Sequence, residues 1–272
     1  MSGIGNWRPA QDAHAIQMAA VGINFREPIT SVLLQSADQA VQASTQKLGL
    51  AVRNELKEFG FLIGPGGQPQ PQGQTAGAEY LRQERPDFVS DKFVLSKNFL
   101  RYEEHAYTRW AVLSQKIESC FADAYDIFNK ATQVGDLYVE YIDVFLCAME
   151  HDDNVNLIID STSDFIAKGA VSDTGLWHTH SGYFDNDDGT VRRLHQINID
   201  VSNANTPSGL MRAVQIRTFA SDALRDPSQG PFDGLTKPWV ELSARLNDLH
   251  TAAKADFRRI LTADAAAAVS LG

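Results

Sequence analysis

The chain has 272 residues, of which 43% are hydrophobic and 21% charged, an ordinary globular balance with enough apolar residues for a sizeable core. Its formal net charge of -10 sets the average surface against a nucleic-acid backbone or an anionic membrane, so neither is expected as the main partner. No apolar run is long enough for a membrane-spanning helix, and the opening MSGIGNWRPAQDAH lacks the basic and apolar regions of a signal peptide, so a cytoplasmic location is expected.

After a polar lead-in, His14 to Phe25 predicts a strand whose parity slips near Ala19 and Ala20; Arg26-Glu27-Pro28 ends it. Thr30 or Ser31 is placed to cap a helix running through Leu33, Leu34, Ala37, Ala40 and Val41 to Lys47. Leu48 to Ile63 is ambiguous, with strand character strongest from Phe59. Residues 64–78 (GPGGQPQPQGQTAGA) have the Gly/Pro/Gln composition of a flexible loop and lack the Gly-Lys-Ser/Thr ending of a phosphate loop. Glu79 to Gln83, Phe88 to Leu95 and Phe99 to Glu104 predict three short strands joined by turns.

The stretch from Tyr107 to Met149 has the strongest pattern. Trp110, Leu113, Ile117, Phe121, Ala124 and Phe128 recur at spacings of three and four and define one face of a long helix. A turn is expected at Gly135. From Leu137 the period becomes two and both faces are apolar, which predicts a central strand. Asp143 is the exception. Cys120 and Cys147, the two cysteines, occupy apolar positions and read as buried reduced thiols.

His151 to Asn154 reads as an acidic turn, and Val155 to Asp160 as a strand. Leu176 to Phe184 and Thr190 to Val201 predict strands flanking Asp187-Asp188-Gly189, a hairpin signal. Asn203 to Gly209 reads as a loop and Leu210 to Phe219 as a strand. Asp226 to Gly234 reads as a loop before a second long helix, Leu235 to Leu261, whose apolar face is Leu242, Leu246, Leu249, Ala253, Phe257 and Ile260. Thr262 is placed to cap a last short helix through Ala268. This order predicts a single α+β domain over residues 1–272. Its mainly antiparallel twisted sheet is built from two meander-plus-long-helix halves, with the helices on one side.

Several short motifs occur in an order that resembles a sporadically distributed bacterial family of uncharacterised proteins of roughly this length. They are Val21-Gly22-Ile23-Asn24-Phe25 with Glu27-Pro28, Tyr107-Thr108-Arg109-Trp110, and Val139-Glu140-Tyr141-Ile142-Asp143. Ile199-Asp200-Val201 follows, then Leu249-His250 with Phe257 and Thr262. The chain departs from the pattern at Asp143, where the family carries Asn, and at Glu140, where a basic or polar residue is usual. The resemblance implies a fold and no established activity.

Two constellations carry candidate chemistry. On a strand His178 and His180 point to one face, and a two-residue Asp188-Gly189 turn would pair residue 182 with 195 and bring His195 onto that face. Three imidazoles together have the donor set for zinc or iron, with Asp185 or Asp200 as added oxygen ligands. Against this, the Ser-x-x-Asp continuation of a JAMM-type metallopeptidase is missing, and the face also carries Ile197, Ile199 and Val201. Glu140 and Asp143 are placed together on the Ile142 face of the central strand. They read either as an acid–base pair or as partners of Arg212 or Arg217. The acidic run Asp185, Asp187, Asp188 lacks the EF-hand spacing, and there is no Gly-x-Ser-x-Gly nucleophile elbow.

No resident cofactor is expected. The leading expectation is a non-enzymatic accessory factor that binds another protein or a second copy of itself, in a role such as defence or toxin neutralisation. The alternatives are a metal-dependent hydrolase using His178, His180 and His195, and a small-ligand binder with a cavity between sheet and long helix.

Overall fold

A computed structural model describes residues 3–11, 14–63, 69–149, 153–167, 175–185, 191–224 and 237–270, with backbone alone over 59–63 and 69–72. The architecture is α+β with a mainly antiparallel sheet. The chain divides into two compact units. Met1–Ala20, Tyr138–Arg225 and Ala244–Gly272 form the first, and Val21–Leu137 and Asp226–Ser243 the second. No helix among the described residues is long and apolar enough to cross a membrane.

The elements in chain order begin with strands β1 (Arg8–Pro9) and β2 (Ile16–Phe25) and helices α1 (Ser31–Ala40) and α2 (Gln42–Lys47). Strands β3 (Val52–Ile63), β4 (Pro69–Arg85), β5 (Phe88–Ser96) and β6 (Phe99–Glu104) precede helix α3 (Trp110–Phe128) and strand β7 (Val134–Ala148). Strands β8 (Trp177–Asp185), β9 (Val191–Thr206) and β10 (Gly209–Leu224) lead to helices α4 (Trp239–Ile260) and α5 (Ala263–Ala268).

In the second unit β3, β4, β5 and β6 each pair antiparallel with the next. Thr30 caps α1 by accepting from the Leu33 amide, as its residue type predicts. Of the predicted apolar stripe of α3, Leu113, Ile117, Phe121, Ala124 and Phe128 are buried and Trp110 is half-buried; Cys120 and Tyr125 join the buried face. Phe128 stacks on Phe25 at 4.4 Å, and Phe121 lies 5.7 Å from Phe93, which in turn stacks on Tyr80 at 6.0 Å. Each large side chain so buried stabilises the fold by about 1.5–3 kcal/mol.

In the first unit β9 pairs antiparallel with both β8 and β10, and β1 with β7. Its core joins Phe145 and Cys147 of β7 to Ile197, Ile199 and Val201 of β9 and Val214 and Ile216 of β10. Phe257 and Ile260 of α4 and Ala265 of α5 pack onto the same cluster. The predicted stripe on the second long helix is buried throughout, from Leu242 to Ile260. Thr262 caps α5 by accepting from the Ala265 amide.

Four local expectations are corrected. Residues 69–78, expected within the 64–78 loop, begin β4; residues 64–68 lie outside the described set. Pro69 and Pro71 lie where β4 pairs with β3 alone, β5 joining only from Gly77, and such an edge stretch is where a strand accepts proline. Gly135 lies within β7 rather than in a turn. Val155–Leu157 is a turn of 3-10 helix rather than a strand, capped by Asn154. Asn203–Thr206 continues β9, paired with Gly209–Arg212, so the turn is shorter than expected.

Gly77 marks a close approach of β4 to β5: a Cβ there would lie 2.2 Å from the Leu95 carbonyl oxygen and 2.9 Å from the Ser96 Cα. Backbone cannot yield as a side chain can. Gly77→Ala is therefore expected to cost about 1–3 kcal/mol, read as a lower urea midpoint with an unchanged slope; an unchanged midpoint would refute this close approach.

Candidate functional site

The β8–β9 register decides what the histidines can do. Tyr183, not Gly182, lies opposite His195, and His180 and His178 lie opposite Asn198 and Asp200. The expected pairing is therefore off by one residue, and a one-residue shift moves a side chain to the other face. His178 and His180 are exposed with their rings 5.6 Å apart, whereas His195 is 4% exposed on the opposite, core-facing side. The expected three-histidine metal site does not assemble, and no group of three metal-ligating side chains occurs among the described residues. Of the acidic run, Asp187 and Asp188 lie outside the described residues, as does the expected turn.

His195 instead belongs to a buried polar cluster. Its Nδ1 lies 2.5 Å from Asp256 Oδ2 on α4, while Tyr183 donates its hydroxyl to Asp256 Oδ1 at 2.9 Å. Arg259 Nη1 stands 3.6 Å from the same oxygen. An ionised carboxylate only accepts, so Nδ1 carries the proton. Tyr183 also stacks on the imidazole, with ring centres 4.4 Å apart and planes 10° apart. Burial, then the adjacent Asp256, pushes the Tyr183 phenol up to about 12, so it stays a donor. His195 Nε2 is buried without a hydrogen-bond partner among the described residues. The periodicity marked position 195 as inward, but Asp256 sits far along the chain on an amphipathic helix and gives no local signal.

The carboxylate pair also separates. Residues three apart in a pleated strand point to opposite faces, so Glu140 and Asp143 do not share the Ile142 face; this corrects the expected acid–base pair. Glu140 pairs with Arg217. Arg212 is engaged elsewhere, by Asp153 and Asn203, each at 2.8 Å. Asp143 is 1% exposed and shares its face with Tyr141 and Phe145. Its Oδ1 has no hydrogen-bond partner among the described residues, and burial raises its carboxyl well above the ordinary value. Two residues before it, Tyr141 meets His250 Nδ1 of α4 at 2.8 Å. Burial, with Lys254 nearby, lowers that imidazole to about 4, so it is neutral.

Two further ionic clusters have no short-range sequence signature. In the first unit Arg193 clamps the fully buried Asp222 through two bonds of 2.7 and 2.9 Å, with Arg245 at 3.7 Å. In the second, Lys116 of α3 lies 2.5 Å from both Asp91 and Glu104, which face each other across β5 and β6. Tyr102 and Ser90 also donate to Asp91 at 2.9 Å each. Burial raises the Glu104 carboxyl against the pull of Lys116. Burial acts to lower the Lys116 ammonium, but its bonds to Asp91 and Glu104 outweigh that and raise it. The second unit also has a groove of about 250 Å³ lined by Leu34, Asp38, Arg53 and Thr75. Asp38 there accepts from Arg53 at 2.9 Å and from Tyr80 at 2.7 Å, which neutralises the charge.

No family model matches the chain, and no curated protein matches it. Among solved structures, one similar chain is the di-domain ARO/CYC StfQ from the steffimycin biosynthetic pathway. It is 9% identical, with 93% of this chain and 98% of that chain covered and a TM-score of 0.19, and it carries no argument here.

Asp143 gives a pH-dependent prediction. Its ordinary value is 3.8 and its folded value is well above. Between the two, the native state holds a proton that the unfolded chain releases, so its contribution to stability falls as pH rises through that window. Asp143→Asn removes this dependence. The variant is expected to melt above the wild type at pH 7, with the margin shrinking as pH falls towards 4; a constant or reversed margin would place a partner on the carboxylate.

Proposed function

We propose that the protein is a non-enzymatic cytoplasmic accessory factor that binds another protein along strand β8. The observation that carries this reading is the edge itself. Among the described residues β8 has β9 as its one neighbour, so its other side presents unpaired backbone N–H and C=O groups. Such an edge is a template for an extended segment of a partner. Beside it stand Phe184, 60% exposed, and Leu176, 49% exposed, together with the outward imidazoles of His178 and His180. Arg192 covers one face of Phe184 at 4.6 Å and leaves an aromatic anchor of the kind that dominates interface energetics.

The net charge of -10 favours a partner segment with basic side chains over a second copy of the same acidic chain. The likeness to a sporadic bacterial family supports an accessory role such as defence or toxin neutralisation. The separation of His178 and His180 from His195 removes the support for a hydrolytic metal centre.

The test compares wild type with Phe184→Lys. The exposed position makes equal melting temperatures the expectation. Partners retained from the host cytoplasm by wild type are expected to bind the variant at least about tenfold more weakly. The amides of residues 177–185 are expected to gain hydrogen-exchange protection in the wild-type complex. Equal affinity for both forms, with no protection along β8, would refute the reading.

A further inference from the structure

His195 and Thr218 point to a second, internal site. The β9–β10 register sets His195 opposite Ala220 and Ile197 opposite Thr218. Opposed residues share a face, as do residues two apart, so His195 and Thr218 are diagonal neighbours on the core-facing side. Such neighbours lie about 7–8 Å apart and within reach of an aromatic side chain. Both polar atoms, His195 Nε2 and Thr218 Oγ1, are buried without a hydrogen-bond partner among the described residues, the residues being 4% and 1% exposed. Leaving both unmatched costs free energy for each group.

The surroundings fix the ring. Asp256 holds Nδ1 and Tyr183 covers one ring face. Directly opposite His195, β10 carries Ala220, whose methyl group makes no hydrogen bond. The imidazole is thus oriented from three sides, with Nε2 left as the free donor or acceptor.

We infer that His195 Nε2 and Thr218 Oγ1 together bind one hydroxyl group, that of a buried water molecule or of a small alcohol or phenol. A hydroxyl both donates and accepts, so it satisfies Nε2 in either protonation state and the threonine hydroxyl at the same time. An anion would meet the buried Asp256 carboxylate one ring-width away, and a metal ion would find a single nitrogen ligand and one alcohol. Bridging waters between otherwise unmatched buried groups are a regular part of protein interiors.

The experiment uses the full chain with 15N-labelled histidine. A long-lived water at the site gives a cross-peak between the water resonance and the His195 ring protons, and marks water as the occupant. Failing that, titration with phenol is expected to shift the His195 side-chain resonances saturably in wild type and not in Thr218→Val, which marks an added hydroxyl ligand. In either case Thr218→Val, which preserves shape and removes the hydroxyl, is expected to lower the melting temperature by about 2–4 °C. Thr218→Ser, which restores the hydroxyl, recovers the ring signals. Absence of both water contact and phenol binding, with Thr218→Val as stable as wild type or more so, would overturn the inference.

Discussion

The side-chain alternation of β8 against β9 is the constraint on which the first unit depends. With Tyr183 opposite His195, the residues of β8 that face the core are Trp177, Thr179, Ser181 and Tyr183. A shift of one would bury His178 and His180 and expel Tyr183 from its stack on His195 and its bond to Asp256. Gly182 opposes the shift sterically, since a Cβ at that site would stand 2.8 Å from the His195 carbonyl oxygen. Sliding the strand by one would bring Ser181 or Tyr183, each with a Cβ, into that place. Sterics, packing and hydrogen bonding all select the same register.

Burial of charge follows one rule in both units, with one departure. Asp222, Asp91, Asp256 and Glu140 are all buried, and each is matched by a cation, by hydroxyl donors or by both. The matching residues come from neighbouring strands and from α3 or α4, so the same bonds that neutralise the acids tie helix to sheet. Removing one member of such a set leaves an uncompensated charge, which is far more costly than the set is stabilising. Asp143 Oδ1 has no such match among the described residues, and the raised carboxyl is the physical answer: the group avoids an unpaired buried charge by keeping its proton.

The helices and most strands were legible because their signals are local. The stripe of α3, the stripe of α4 and the threonine caps of α1 and α5 each depend on residues within a few positions of one another. Residues 69–78 were not legible, because Gly, Pro and Gln disfavour a strand and only pairing with β3 makes one. The histidine face was misplaced for a related reason: a turn of assumed length sets parity, and an error of one residue reverses every side chain beyond it. The parity of Glu140 and Asp143 needed only counting. Asp256 was invisible as the partner of His195 because it lies on α4, far along the chain. Arg193 and Asp222 pair across the consecutive strands β9 and β10, and Lys116 meets Glu104 from the next element, so both needed the three-dimensional register and not a local pattern.

The edge and the interior of the first unit are joined through a single strand. Besides its pairing with β9, β8 is tied by Tyr183 to Asp256, by the Ser181 hydroxyl to the Phe165 carbonyl at 3.2 Å, and by Phe165 stacked on Tyr183 at 5.9 Å. Trp177 and Tyr183 also pack against the core cluster, but among the described residues the strand has a backbone ladder on one side alone. A partner strand would add a ladder on its open side and hold it more firmly against β9. Tyr183 would then hold Asp256, and through it the tautomer and orientation of His195, more rigidly. The reverse also follows, since any energetic coupling between two sites is reciprocal. A hydroxyl that fixed the His195 ring would stiffen the Tyr183 stack from within, and so would favour the ordered edge that the proposed docking needs.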